Sequence, residues 1–351
     1  MNVCAHFGSC GGCSLQNLSA ADYRVRKREI VASALAKAGL GDIAVEDPLL
    51  VPEKSRRRAV FKFCKTQGKV AVGFHAAKSH AIIDMRECLV LTPALLGLAS
   101  VLRQMLEPLL AEGEKAEIHA TETDAGLDLA FRWRRKLTPQ MTAEIARAFS
   151  ASDIARIIFN GEMLTERRKP DVSFGGVAVT APPHAFLQAS RAGEEMLQAR
   201  VLALTDGAKA VADLFAGLGT FTLPLAQRAK VHAVEQEGEA LAALAEAARK
   251  AKGLKPVTTE KRDLFKVPLT PLELNRFDAV VLDPPRAGAE AQTRALAASK
   301  VGRIAYVSCD AGTFARDAAV LAGAGFRAGP VQPVDQFLYS NHIELVGGFS
   351  R

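Results

Sequence analysis

No uncharged apolar stretch of the chain approaches the about 20 residues that a membrane-spanning helix requires. The longest, Leu89 to Leu102 and Leu214 to Ala226, hold 14 and 13 residues, so a soluble protein is expected. The first residues carry no basic segment followed by an apolar run, which leaves out a secretory signal and makes the cytoplasm the expected compartment. Internal repeats and low-complexity tracts are missing too. Hydrophobic residues make up 49% and charged residues 24%, so disorder, collagen and coiled coil are excluded as readings of the whole chain. At 351 residues the chain should form two domains.

Net charge is absent from most of the sequence. The overall +7 arises within residues 1–104, which hold 15 Lys/Arg against 8 Asp/Glu; residues 105–351 hold 30 of each. A basic segment joined to a neutral body suits a phosphate-backbone partner, because each cation that displaces a condensed counterion adds salt-dependent affinity. Arg24-Val25-Arg26-Lys27-Arg28 and Arg56-Arg57-Arg58 are the expected cores of that surface. Arg132, Arg134, Arg135, Lys136 and Arg167-Arg168-Lys169 add to it. Taken singly, each cluster also reads as a solvated face.

Cysteine is scarce, six in all, but three lie within Cys4-Ala-His-Phe-Gly-Ser-Cys10-Gly-Gly-Cys13. In a reducing compartment such spacing reads as metal ligation. Gly8, Gly11 and Gly12 would let the backbone fold tightly around an inorganic centre. A fourth thiolate must come from Cys64 or Cys88, and the spacing alone fits either zinc or an iron–sulfur cluster.

The first part of the chain reads as α+β. Helix signals run from Ala20 to Ala38, between a Ser19 cap and Gly39. Strand candidates lie at Arg58–Cys64, Lys69–Phe74 and Ala81–Asp84, and Ala116 to Trp133 reads as a hairpin turning at Asp124-Ala125-Gly126. Pro93 to Leu110 and Met141 to Phe149 read as helices and Ile154 to Phe159 as a strand. From about residue 183 strands alternate with helices, the pattern of a parallel sheet with crossover helices. The expected division is therefore 1–182 and 183–351, with helix 20–38 expected to pack on the second unit.

Within the second unit, Ala210 to Phe215 is an apolar strand that ends in Ala216-Gly217-Leu218-Gly219-Thr220 and opens a helix. The glycines permit a ligand to approach the backbone. Val231 to Glu235 then reads as a second strand ending in an acid, placed to accept ribose hydroxyls of a nucleoside cofactor. The third glycine of a nicotinamide site is missing, and the spacing fits adenosylmethionine better. Phe277 to Leu282 leads to Asp283-Pro284-Pro285-Arg286, and Arg303 to Ser308 leads to Cys309-Asp310. Ligands of an open α/β sheet bind outside the carboxyl ends of the strands, so Asp213, Glu235, Asp283 and Cys309 should converge, with Cys309 a candidate nucleophile.

These motifs resemble, over nearly the whole chain, the RNA (uracil-5-)-methyltransferases that use S-adenosylmethionine. The cysteine motif is similar to that of the 23S ribosomal RNA members, which implies a [4Fe-4S] cluster. The segment Ile82-Ile83-Asp84-Met85-Arg86-Glu87-Cys88 resembles the one bearing the fourth ligand, so Cys4, Cys10, Cys13 and Cys88 would hold the cluster and Cys64 would belong to the core. The resemblance implies a Rossmann-like class I methyltransferase domain behind an α+β RNA-binding domain. It places Gln188, Phe215, Thr220, Glu235, Asp263 and Asp283 around the cofactor or target base, Cys309 as nucleophile and Glu344, in His342-Ile343-Glu344, as base. Two stretches depart from the family: Asp310-Ala311 follows the nucleophile where Asn-Pro is usual, and Phe337-Leu338-Tyr339-Ser340-Asn341 replaces a Phe-Pro-His-Thr stretch. An N-terminal β-barrel domain of many members is expected to be lacking.

The chemistry accounts for these residue types. C5 of uracil is a poor nucleophile until a thiolate adds at C6, and the C5 proton must then leave to a base. The base must be extruded from its stack, and Phe186 offers a stacking face. A cytosine-5 enzyme would carry a second cysteine near Asp283-Pro284, and an amino-group enzyme an aromatic residue in place of Arg286. A transfer-RNA uracil methyltransferase and a non-catalytic iron–sulfur RNA-binding protein are the alternatives.

Overall fold

A computed structural model describes residues 3–150 and 152–351; Met1, Asn2 and Ala151 lie outside them. The helix Ala20–Lys37 begins where Ser19 accepts a hydrogen bond from the Asp22 amide at 3.1 Å. Tyr23, Lys27, Val31 and Leu35 recur every fourth residue and form its buried face. That face covers the C-terminal unit, against helix Ala311–Gly323 and strand Gln332–Asp335, and Val31 and Leu35 share a core with Ile304, Phe314 and Leu345.

At the centre of this contact Lys27 Nζ donates to Asp335 Oδ1 and to the His342 carbonyl, each at 2.7 Å, and Tyr23 also donates to Asp335. Both charged side chains are fully buried. This corrects the expectation that the whole Arg24–Arg28 run faces phosphate: Arg24, Arg26 and Arg28 are exposed, whereas Lys27 points inward. The same holds for Arg57, buried and paired with Glu194 at 2.6 Å while Nε donates to the Gln188 carbonyl. Replacing Lys27 with Met should cost about 3–5 kcal/mol of unfolding free energy, because it strands a buried carboxylate. Urea denaturation would read it, and a loss under about 1 kcal/mol would refute this account.

The N-terminal sheet has seven strands in the order Ile82–Asp84, Lys69–His75, Arg58–Thr66, Lys115–Thr123, Gly126–Arg132, Ile154–Phe159, Glu162–Glu166. All neighbours are antiparallel except Gly126–Arg132 and Ile154–Phe159. Along Arg58–Thr66 the residues Ala59, Phe61 and Phe63 are buried alternately, packing with Leu95, Leu102 and Met105 of helix Pro93–Leu109. Cys64 falls on the opposite face and is only half-buried, so it is not a core residue as expected.

The C-terminal sheet runs Leu49–Leu50, Gln332–Asp335, Glu344–Ser350, Arg303–Ser308, Ala279–Leu282, Ala210–Leu214, Lys230–Glu235, Val257–Lys261, with Arg327–Ala328 a side branch. The five strands from Arg303–Ser308 to Val257–Lys261 are parallel, and Glu344–Ser350 runs antiparallel beside them. The boundary expected at residue 182 is crossed twice. Leu49–Leu50 forms an edge of this sheet, and Val172, Phe174 and Val179 of the hairpin Asp171–Phe174/Val177–Thr180 join Leu218, Leu223 and Leu244 in its core. Among the described residues no helix is long and apolar enough to cross a membrane.

Candidate active site

The first strand, Ala210–Leu214, delivers Asp213 to the rim. Asp213 is fully buried, its Oδ2 accepts from the Thr222 hydroxyl at 2.5 Å, and its Oδ1 has no protein partner. Burial pushes the carboxyl up to about 7. Phe215 turns the chain with a φ of +65°, a strain of about 1–3 kcal/mol of the kind held at functional sites. Gly217 and Gly219 have φ of +54° and +93°. A Cβ on Gly219 would lie 2.4 Å from Leu244 Cδ1, while one on Gly217 would meet nothing within 4 Å, which leaves the backbone open there. Glu235 closes the second strand; its carboxylate accepts from the amides of Gly217, Gln236 and Glu237 at 2.7–2.9 Å and so is held against the glycine turn. Thr220 continues that turn and its carbonyl accepts from Gln198. Asp263, after the edge strand, accepts from the Phe265 and Lys266 amides, and its bond to the Lys266 ammonium leads the causes that lower its carboxyl. Phe265 packs on Phe215 at 5.4 Å between centroids.

This set fits a nucleoside-bearing cofactor. It offers an open backbone, an oriented acid, aromatic side chains and an orphaned buried oxygen.

A second set surrounds Cys309. Ser308 is in register with Leu345 across antiparallel strands, which brings Glu344 beside Cys309. Glu344 is buried; desolvation lifts its carboxyl well above the usual range, opposed by the Gln336 hydrogen bond and the Arg286 charge. Asp283, half-buried, is lifted by desolvation and by the charges of Glu344 and Asp213. The Cys309 thiol is pushed up to about 11, by burial first and then by Glu344 and Asp283, with Arg286 acting the other way. Cys309 opens on a cavity of about 480 Å³ between helix Ala20–Lys37 and the turn at residues 309–312, bordered also by His342.

Two amides and two acids form a hydrogen-bonded chain here. Gln188 Nε2 donates to Asp283 Oδ2 at 3.2 Å, Gln336 Nε2 donates to Gln188 Oε1 at 2.6 Å and to Glu344 Oε2 at 3.0 Å. Gln336 is absent from the sequence-derived set. It follows strand Gln332–Asp335 as a lone glutamine, with no spacing in the sequence that marks it.

The two departures have local explanations. Asp310 Oδ1 accepts from the Gly312 and Thr313 amides, both at 2.9 Å, and caps helix Ala311–Gly323 as an Asn would. In the 337–341 stretch Tyr339 takes φ +62°; its amide donates to Tyr23, and its carbonyl accepts from the Ser14 and Leu15 amides at 2.7 and 3.0 Å. The loop leading to Glu344 is thus gripped by the segment that follows the cysteine motif.

Cys4, Cys10, Cys13 and Cys88 line one cavity of about 470 Å³, which also touches Arg56, Arg286, Phe337 and His342. Burial raises the Cys13 thiol to about 11. Among the described residues no group of three or more His, Cys, Asp or Glu side chains is arranged to hold a metal ion. Cys64 lies elsewhere, on a different cavity that His80 and Arg103 also line. Phe186 is exposed near Gln188, with the Arg58 guanidinium 4.9 Å above its ring.

A parallel sheet with an open glycine turn, an acid closing the second strand and a Cys–Glu pair at the rim defines a Rossmann-like transferase. The chain belongs to the tRNA (uracil-5-)-methyltransferase family, whose family model matches residues 155–349. It is 44% identical over 354 residues to an uncharacterized RNA methyltransferase of Rhizobium meliloti, covering 99% of this chain and 85% of that one. The 23S rRNA (uracil(1939)-C(5))-methyltransferase RlmD of Halomonas elongata is 34% identical over 363 residues, with 97% of this chain and 74% of that one covered. Among solved structures, the Pyrococcus abyssi tRNA (uracil-54, C5)-methyltransferase in complex with S-adenosyl-L-homocysteine matches with a TM-score of 0.76 at 22% identity, over 96% of this chain and 85% of that one. At that identity the likeness speaks for the fold alone. The chain is therefore an RNA methyltransferase.

Proposed function

We propose that the protein methylates C5 of a specific uridine of 23S ribosomal RNA in the cytoplasm, with S-adenosylmethionine as methyl donor. The observation that carries this reading is the register that sets Glu344 beside Cys309 at the rim that also holds Asp283 and Gln188. Cys309, once deprotonated to the thiolate that the Arg286 charge favours, adds through sulfur to C6, which turns the ring into an enolate with a nucleophilic C5. S-adenosylmethionine, when bound against Phe215, Gly217, Thr220, Glu235 and Asp263, supplies the electrophilic methyl group. Glu344 then removes the C5 proton, and the electron pair of that bond expels the Cys309 thiolate. Gln188 and Asp283 orient the base, and Phe186 offers a stacking face outside the pocket.

Cys4, Cys10, Cys13 and Cys88 would hold a [4Fe-4S] cluster, whose role is structural because methyl transfer consumes no electrons. What supports this reading is that the four cysteines line one cavity. The ribosomal target draws support from the resemblance of the cysteine motif and from the Halomonas relative.

Tritium release from 23S ribosomal RNA labelled as [5-3H]uridine, run beside labelled transfer RNA with anaerobically purified protein, tests the reading. Cofactor-dependent release from ribosomal RNA is expected. Release from transfer RNA alone would move the substrate, and release from neither would favour an RNA-binding role without turnover.

A further inference from the structure

The orientation of the Gln336 amide is decided by its surroundings. The Ala189 backbone amide can only donate, and it lies 2.9 Å from Gln336 Oε1, so Nε2 must point the other way, toward Gln188 and Glu344. Both Nε2 hydrogens are then used, one on the Glu344 carboxylate and one on Gln188 Oε1. Because Gln336 presents a donor, Gln188 must meet it with its oxygen and turn its own nitrogen toward Asp283, as it does at 3.2 Å. Gln188 is buried and keeps one acceptor lone pair on Oε1 and one N–H on Nε2 without a protein partner. Turning its amide over would set two NH2 groups against each other.

The orientation of a pyrimidine in the pocket is limited as well, since C6 must face Cys309 and C5 must face Glu344. Uracil then presents an N3–H donor flanked by carbonyl acceptors, the complement of the spare Gln188 oxygen and N–H. Cytosine presents an N3 acceptor beside an N4 donor and needs the reversed amide. We propose that Gln336 is a positioning residue that locks the Gln188 amide and thereby makes the site select uridine over cytidine. The proposal rests on the uridine reading above, with Gln188 at the edge of the target base.

The test compares kcat/KM for RNA segments spanning the mapped methylation site with uridine or cytidine at that position. Wild type should prefer uridine by about 10³-fold or more, since a site built to hydrogen-bond one pattern leaves buried groups unpaired with the other. Gln336→Met keeps the length of the side chain and removes its amide. It should slow both substrates, because Glu344 loses a donor, and should cut the uridine preference at least about tenfold, a ratio that a purely structural loss leaves unchanged. Gln336→Glu keeps the acceptor for Ala189 but offers an ionised oxygen to Gln188, so it should move the ratio further toward cytidine; it carries the test if the Met variant does not fold. A ratio within twofold of wild type in a variant that still binds S-adenosylmethionine overturns the lock. A wild-type protein that methylates no uridine overturns the functional reading instead.

Discussion

Cys309→Ala should abolish methylation, lowering single-turnover transfer by at least about 10⁴-fold, while leaving S-adenosylmethionine affinity within twofold. The separation follows from the architecture. The cofactor residues Phe215, Gly217, Thr220 and Glu235 belong to the first two strands of the parallel sheet, whereas Cys309 follows a strand two places away on the other side of Ala210–Leu214. Without the thiol no group can raise the electron density at C5. The resting thiol is mostly protonated, since burial and two nearby acids hold it at about 11. The Arg286 guanidinium, which opposes that rise and bonds His342 at 3.1 Å, is the cation placed to favour thiolate. Radiolabelled methyl transfer beside calorimetric titration of the cofactor reads both quantities, and residual methylation of uridine by the variant would sink the covalent mechanism.

Glu344→Gln should stop the reaction one step later. Addition to C6 and methylation remain possible, but the C5 proton has no acceptor, so protein and RNA accumulate as a covalent adduct visible as a slow band on a denaturing gel. Turnover should fall by about 10²–10⁴-fold. The base works ionised, and its carboxyl titrates well above the ordinary range, so wild-type kcat/KM should rise with pH through a step displaced toward neutrality. That step should vanish in the variant. Stability should move in the opposite sense. A carboxyl whose folded pKa is raised favours the native state at low pH and loses that contribution as pH rises through the folded value. Glu344→Gln should therefore raise Tm at pH 8 and leave it unchanged at pH 4. An equal shift at both values would mean that the carboxyl is not strained by burial.

Much of this site was legible as local pattern. The glycine turn after Ala210–Leu214, the acid at Glu235 and the Cys309 strand end are each set within a few residues, where period and turn chemistry decide. The fates of Lys27 and Arg57 were not legible, whereas that of Cys64 could have been read from its strand. A lysine within a basic run reads as solvated, and only Asp335, 308 residues away, makes its burial tolerable. Arg57 depends likewise on Glu194. Cys64 sits in an alternating strand whose inward phase is set by the neighbouring phenylalanines Phe61 and Phe63. Gln336 escaped because an isolated glutamine carries no spacing signal; its meaning comes from the Ala189 amide that orients it.

The helix Ala20–Lys37 completes its core only with the last strands of the chain, and this sets a timetable for synthesis. At about 5–20 residues per second, the interval between Lys27 and Asp335 leaving the ribosome is about 15–60 s. Until helix Ala311–Gly323 and strand Gln332–Asp335 have emerged, Val31 and Leu35 lack the elements their helix packs on, and the sheet beside them lacks Glu344–Ser350. The N-terminal sheet, closed by Glu162–Glu166, can form meanwhile with the first helix left aside. Ribosome-stalled chains ending before residue 327 should accordingly be cleaved by protease within 20–37 and protected across 93–109, whereas full-length chains resist at both. Birth of the catalytic loop is then the closing event of folding, and an unfinished chain holds no assembled active site.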